Sequence, residues 1–109
     1  MKEINIKEPW FTHIKNKDKR IEGRLDKGQF SKLEKGEIVK FVNNTASFNA
    51  KIHKIVKYKT FEEYLSQEGL KRTLPDIKTI EEGKNIYYKY YTREQEKEFG
   101  ILAIYIKLI

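Results

Sequence analysis

The chain contains no cysteine, only two histidines and two prolines, and no long apolar run. Without thiols, disulfide frameworks and thiolate metal sites are excluded, and nothing points to an oxidising compartment. The two histidines, His13 and His53, lie far apart in the sequence, which leaves zinc without a ligand set, so no metal or other cofactor is expected. No stretch approaches the ~20 apolar residues that span a bilayer. The start, Met1-Lys2-Glu3-Ile4-Asn5, lacks the apolar core of a signal peptide. Together these predict a cytoplasmic protein with no membrane partner. The six glycines are scattered singly, so neither G-x-x-x-x-G-K-S/T nor G-x-G-x-x-G occurs, and a glycine-rich phosphate cradle is unsupported. G-x-S-x-G and H-E-x-x-H are also absent, which makes a serine nucleophile or a zinc hydrolase a poor reading.

Acidic residues are in deficit. Twenty-three Lys and Arg face 16 Asp and Glu, a net charge of +7. Their placement is uneven: residues 1 to 59 carry 15 basic and 7 acidic side chains (+8), and residues 60 to 109 carry 8 and 9 (−1). A cationic first half suits a polyanion partner, because meeting phosphates releases counterions and steers association. At 109 residues, 39% of them apolar and 13% aromatic, the chain can bury one core, which predicts one domain over residues 1 to 109.

Ile4-Asn5-Ile6, closed by Pro9, reads as a short strand followed by a helix with proline in its first turn. Trp10, Phe11 and Ile14 share a helical stripe, Trp10 as a core anchor. Arg20 to Leu25 alternates, with Ile21, Gly23 and Leu25 on one face and Arg20, Glu22 and Arg24 on the other, the pattern of a half-buried strand. Ile38 to Val42 and the segment after Asn43-Asn44-Thr45 form a hairpin. The apolar register then slips near His53-Lys54, which a β-bulge explains. Capping signatures at Thr60-Phe61-Glu62-Glu63, Thr79-Ile80-Glu81-Glu82 and Thr92-Arg93-Glu94-Gln95 open three helices. On the second, Ile80, Tyr87, Tyr90 and Tyr91 fall near one stripe, Tyr87 and Tyr91 as core residues, and Tyr88, about 100° around, is the expected exposed ring. Ile101 to Ile109 is apolar on both faces apart from Lys107, as in a strand buried on both sides. The element order predicts an α+β fold around a curled, mostly antiparallel sheet.

The segment from His13 to Arg24 carries the densest charge. Glu22, two residues before Arg24, shares its strand face, and a carboxylate beside an arginine can orient the guanidinium toward phosphate or serve proton transfer near a lysine. A solvated charged strand accounts for the same alternation. The stretch Ile14-x-x-Lys17-x-Lys19-x-x-Glu22-x-Arg24 resembles the G-x-K-x-x-E-x-R signature of ASCH-domain proteins, relatives of PUA RNA-binding domains. The likeness continues through Lys35-Gly36-Glu37-Ile38, Ile55-x-x-Tyr58, Phe61-Glu62-Glu63-Tyr64-Leu65, Thr79-Ile80-Glu81-Glu82-Gly83 and Gly100-Ile101-Leu102-Ala103-Ile104. It departs at Lys17, where the family has glycine.

The resemblance implies a PUA-like β-barrel with peripheral helices and a cleft lined by Lys19, Glu22 and Arg24. Some members of the family bind RNA, some resemble ribonucleases, and one branch deacetylates N4-acetylcytidine with a threonine at the position of Glu22. Three functions follow as expectations. The first is binding of RNA or a nucleotide, with Lys19 and Arg24 on phosphate or base edges, Glu22 orienting the arginine or accepting a base amino group, and Lys15, Lys17 and Arg20 extending a basic path. The second is a hydrolase of RNA or a modified nucleoside, with Lys19 as base or nucleophile and Glu22 as its proton partner. The third is a protein-interaction module.

Overall fold

A computed structural model describes residues 1 to 109. Five strands, β1 (Lys2–Asn5), β2 (Ile21–Leu25), β3 (Ile38–Val42), β4 (Ser47–Tyr58) and β5 (Ile101–Leu108), form one sheet in the order β1-β3-β4-β5-β2. β1 runs parallel to β3, and every other pairing is antiparallel. Five helices accompany them: α1 (Trp10–Lys15), α2 (Phe61–Glu68), α3 (Leu70–Thr73), α4 (Ile80–Tyr88) and α5 (Arg93–Phe99). The sheet curls into a half-barrel, the α+β, PUA-like architecture expected. No helix is long and apolar enough to cross a membrane.

The pairing of β4 with β5 shifts register between Ile52 and Lys54. This is the bulge anticipated at His53-Lys54, and it lets a 12-residue strand bend as the sheet curls. β5 is buried on both faces for a clear reason. Leu102, Ile104 and Ile106 join the core beneath α1, with Ile4, Phe11, Ile14, Val39, Phe41 and Ile52. Ile101 and Ala103 point the other way, into a second core with Phe61, Tyr64, Leu65, Leu74 and Tyr87 from α2, the loop after α3, and α4. One strand thus serves two cores, which explains its lack of alternation.

All three capping threonines act as anticipated. Thr60, Thr79 and Thr92 each accept the backbone N–H three residues on, and Gln95 completes a reciprocal box at α5. α3 has no such signal, and the sequence reading did not anticipate it. Its N-cap is Gly69, and it lies against β2, where the Arg72 carbonyl accepts from Arg20 N–H at 2.9 Å.

α1 ends in a complete Schellman turn. Asp18 N–H bonds to the His13 carbonyl at 2.9 Å and Lys17 N–H to the Ile14 carbonyl at 3.0 Å. The residue between helix and turn is Lys17, with φ of 69°. Glycine reaches this left-handed conformation without steric cost, and it is the usual residue there. The turn delivers the chain directly to Lys19 and β2.

Candidate functional site

β2 is an edge strand, but its polar face is not solvated. Glu22 and Arg24 pair with Ile104 and Leu102 of β5, so their side chains rise on the concave side of the sheet. Glu22 is 6% exposed and Lys19 2%. A buried charge is tolerated only when paired and hydrogen-bonded, and here the pairing is complete. Glu22 Oε1 lies 3.3 Å from Lys19 Nζ, and Oε2 accepts from Arg24 Nε at 2.5 Å. The Lys19 ammonium also donates to the Ile21 carbonyl at 2.8 Å and to the Thr73 carbonyl at the end of α3. Two backbone carbonyls thus accept from the amine, and the Glu22 carboxylate lies within ion-pair reach.

Arg24 spans the opening of the half-barrel. Its Nη2 donates to the carbonyl of Asn5, at the end of the opposite edge strand β1, at 2.6 Å. Its guanidinium lies 4.9 Å from the centre of the Phe30 ring. Nε and Nη2 are used in this way, whereas Nη1 makes no hydrogen bond within the protein and is not sealed from solvent.

The three titrations are coupled by position. Burial alone would raise the Glu22 carboxyl, but the charges of Arg24 and Lys19 overcome it and hold that group below its ordinary value. Burial lowers the Lys19 ammonium against the opposing pull of Glu22. Arg24 is raised: burial works against its charge, and Glu22 outweighs it. The resulting cluster sets Lys19 and Arg24 around one carboxylate, with Arg24 at its open end.

Above the cluster is a cavity of about 200 Å³. Lys19, Glu22, Gly23 and Arg24 form its floor, Asn5, Ile6 and Lys7 one side, and Trp10, Ile86, Tyr87, Tyr90 and Tyr91 its walls. Phe61 braces the tyrosine wall from behind. Its ring stacks on Tyr87 at 4.6 Å and on Tyr91 at 5.8 Å, with interplanar angles of 11° and 14°. Tyr90 is 56% exposed at the rim, with Lys7 Nζ 5.3 Å from its ring centre. Gly23 makes the floor possible. A Cβ at this position would lie 2.6 Å from Tyr64 Oη, so only glycine lets α2 pack this closely on β2.

Of the six residues read from the sequence, the cavity gathers Lys19, Glu22 and Arg24. Lys15 ends α1, exposed. Lys17 and Arg20 line a separate open groove beyond Trp10. The sequence reading missed Lys7 and the Asn5 carbonyl, which reach the cleft from a segment with no motif, and it placed Tyr90 near the stripe of α4, whereas α4 ends at Tyr88 and leaves Tyr90 exposed at the rim. Trp10, expected as a core anchor, packs against both cores and also forms a cleft wall. Tyr88 is not the exposed ring. α5 folds back over it, its hydroxyl donates to Glu96 at 2.8 Å, and its ring meets Phe61 edge-on.

The curled five-stranded half-barrel with its five helices is a PUA-like fold. The family model for the ASCH domain matches residues 4–109. The chain belongs to the ASCH-domain family. It is similar along 100% of both chains to the crystal structure of the hypothetical protein PH0355, at 35% identity and a TM-score of 0.92. It is likewise similar to the solution structure of PF0455 from Pyrococcus furiosus, at 33% identity and a TM-score of 0.83, over 99% of this chain and 96% of that one. No curated protein matches the chain.

Proposed function

We propose that this protein binds RNA or a nucleotide by receiving a base in the cleft between Trp10 and Tyr90. ASCH domains are associated with RNA binding in general. The observation that carries the finer reading is the state of Arg24, which lines the aromatic-walled cavity with its guanidinium held by Glu22 and Asn5 and its Nη1 without a hydrogen bond in the protein. A pre-positioned guanidinium loses little entropy on binding and suits the acceptor edge of a base or a phosphate oxygen. Aromatic walls supply stacking worth roughly 1–3 kcal/mol per base. A volume of about 200 Å³ is below the ~300–1,000 Å³ of sites for larger ligands, which suits one ring system rather than an extended molecule.

In this reading Arg24 and the aromatic walls touch the ligand. Glu22 and Lys19 are positioning residues: Lys19 fixes Glu22, and Glu22 fixes Arg24. The inward-facing contacts of Lys19 also favour binding over hydrolysis. A lysine base needs a lone pair aimed at substrate, and the Lys19 amine is 2% exposed and turned to the Ile21 and Thr73 carbonyls and the Glu22 carboxylate.

The test is equilibrium titration of the protein with the four ribonucleoside monophosphates and with short single-stranded RNAs. Saturable binding that weakens at least tenfold in Arg24→Ala, with the circular dichroism spectrum unchanged, supports the proposal. Failure of the whole panel to bind, or an Arg24→Ala variant that binds as well as the parent, would overturn it.

A further inference from the structure

Next to the cleft, between the turn that ends α1 and the loop joining α3 to α4, is an open groove of about 820 Å³. We infer that this groove is a second binding surface, for the phosphate backbone of the single strand whose base enters the cleft. The inference rests on the function proposed above and adds to it a site of different chemistry.

Five cations line the groove: Lys17 and Arg20 from one side, Lys71, Arg72 and Lys78 from the other. They are far apart in sequence, and the fold brings them together because Arg20 and Arg72 are joined through their backbones at 2.9 Å. Lys17, Arg20, Lys71 and Lys78 are exposed and form no ion pair within the protein. Arg72 differs. Its Nη2 donates to the buried Glu68 carboxylate at 2.9 Å and its Nε to the Glu68 carbonyl at 3.1 Å. Glu68 is itself held by the hydroxyls of Tyr58 and Tyr105. The groove thus offers one fixed guanidinium among four free charges. Two carboxylates, Asp18 and Asp76, also line it, and both lie against His13, at 3.3 and 3.4 Å. Five cations less the two lining carboxylates and the Glu68 carboxylate that holds Arg72 leave +2 on this face.

A phosphate chain fits this chemistry better than a membrane does. Of the exposed large apolar residues, Met1, Ile38, Tyr90 and Ile109, none lines the groove, so no apolar anchor accompanies the charge. Continuity with the cleft points to a single strand. Trp10 lines the cleft and His13 the groove, and their rings are 5.9 Å apart. Leu74 and Pro75, adjacent in sequence, are divided between the two cavities in the same way. A base can enter the cleft only when unstacked, and a backbone crossing this one ridge then meets the five cations.

The experiment compares the parent with the double variant Lys71→Gln, Lys78→Gln, both exposed side chains outside the cleft. The probes are a ribonucleoside monophosphate, a single-stranded RNA octamer, and vesicles containing phosphatidylserine. Losing two phosphate contacts should shrink the salt slope of octamer binding by about 1.4, at ~0.7 per contact. Octamer affinity should fall roughly tenfold or more at low salt, while monophosphate affinity stays unchanged. An unaltered slope overturns the inference, as does equal weakening of both RNA probes, or binding of vesicles in place of the octamer. If Arg24→Ala binds the octamer as well as the parent but the double variant still lowers the slope, the groove stands and the cleft reading alone fails.

Discussion

Glu22 holds Arg24 through a single oxygen at 2.5 Å and leaves its other oxygen to Lys19 at 3.3 Å. The carboxylate is thus the hinge of a three-member chain in a site from which water is largely excluded. Removing one member leaves another buried and uncompensated, typically at a cost of about 3–5 kcal/mol. Glu22→Gln should therefore lose about 3 kcal/mol or more in urea denaturation. Lys19→Met, which strands the Ile21 and Thr73 carbonyls, should lose a similar amount. Because the pair acts as a unit, the double variant should fall short of the summed losses by about 1 kcal/mol or more. Strict additivity would show that the two side chains are not coupled.

Acid should expose the same pair. The Glu22 carboxyl is held below its ordinary value of 4.5 in the folded protein, so the unfolded chain takes up this proton at a higher pH than the folded one. The stabilisation is present above about pH 4.5 and is lost as pH falls through the lower folded value. Stability measured from pH 7 to pH 3 should decline on that limb, and more gently in Glu22→Gln. Some slope should persist in the variant, since Asp26 and Glu37 are also lowered, by hydrogen bonds from Lys57 and Lys2 respectively. Superimposable acid limbs would contradict the assignment.

Lys17 occupies a turn position built for glycine, with φ of 69°. Left-handed backbone costs a lysine about 1 kcal/mol or more, and the greater freedom of glycine in the unfolded chain offsets part of any gain. Lys17→Gly should raise stability by roughly 0.5 kcal/mol, visible as a small increase in the urea midpoint. Destabilisation would mean that the lysine side chain contributes to folding.

Gly23 presents the opposite case, a glycine required by space. A methyl group there would lie 2.6 Å from Tyr64 Oη and 2.7 Å from its ring carbons, and Tyr64 is fully buried. Gly23→Ala should cost about 1–3 kcal/mol by overpacking. Adding Tyr64→Phe, which removes only the hydroxyl contact, should restore part of the loss. A neutral Gly23→Ala would show that α2 can shift away from β2 freely.

These sites differ in how far the sequence reveals them. Alternation from Arg20 to Leu25, the slip near His53 and three threonine caps were all legible, because each has a short-range physical cause. The parallel pairing of β1 with β3 has no local signal, and neither does α3. Lys19 was picked out by the family signature, but not its burial. The group that buries it includes the Thr73 carbonyl, 54 residues away, and the exposed neighbours Lys15, Lys17 and Arg20 are chemically alike. Helical phase predicted an exposed Tyr88. α4 ends there, so phase no longer governs Tyr90, and α5 supplies Glu96 to cover Tyr88. The basic groove was invisible as a unit, since Lys71 and Lys78 meet Arg20 only after folding.

Trp10 is the only tryptophan in the chain and a wall of the cleft, so its fluorescence reports on the proposed site directly. Titration with single-stranded RNA should change Trp10 emission saturably, at a midpoint that moves to higher concentration with added salt and in Arg24→Ala. RNA binding seen by another method while Trp10 emission stays constant would place the ligand outside the cleft and contradict the account.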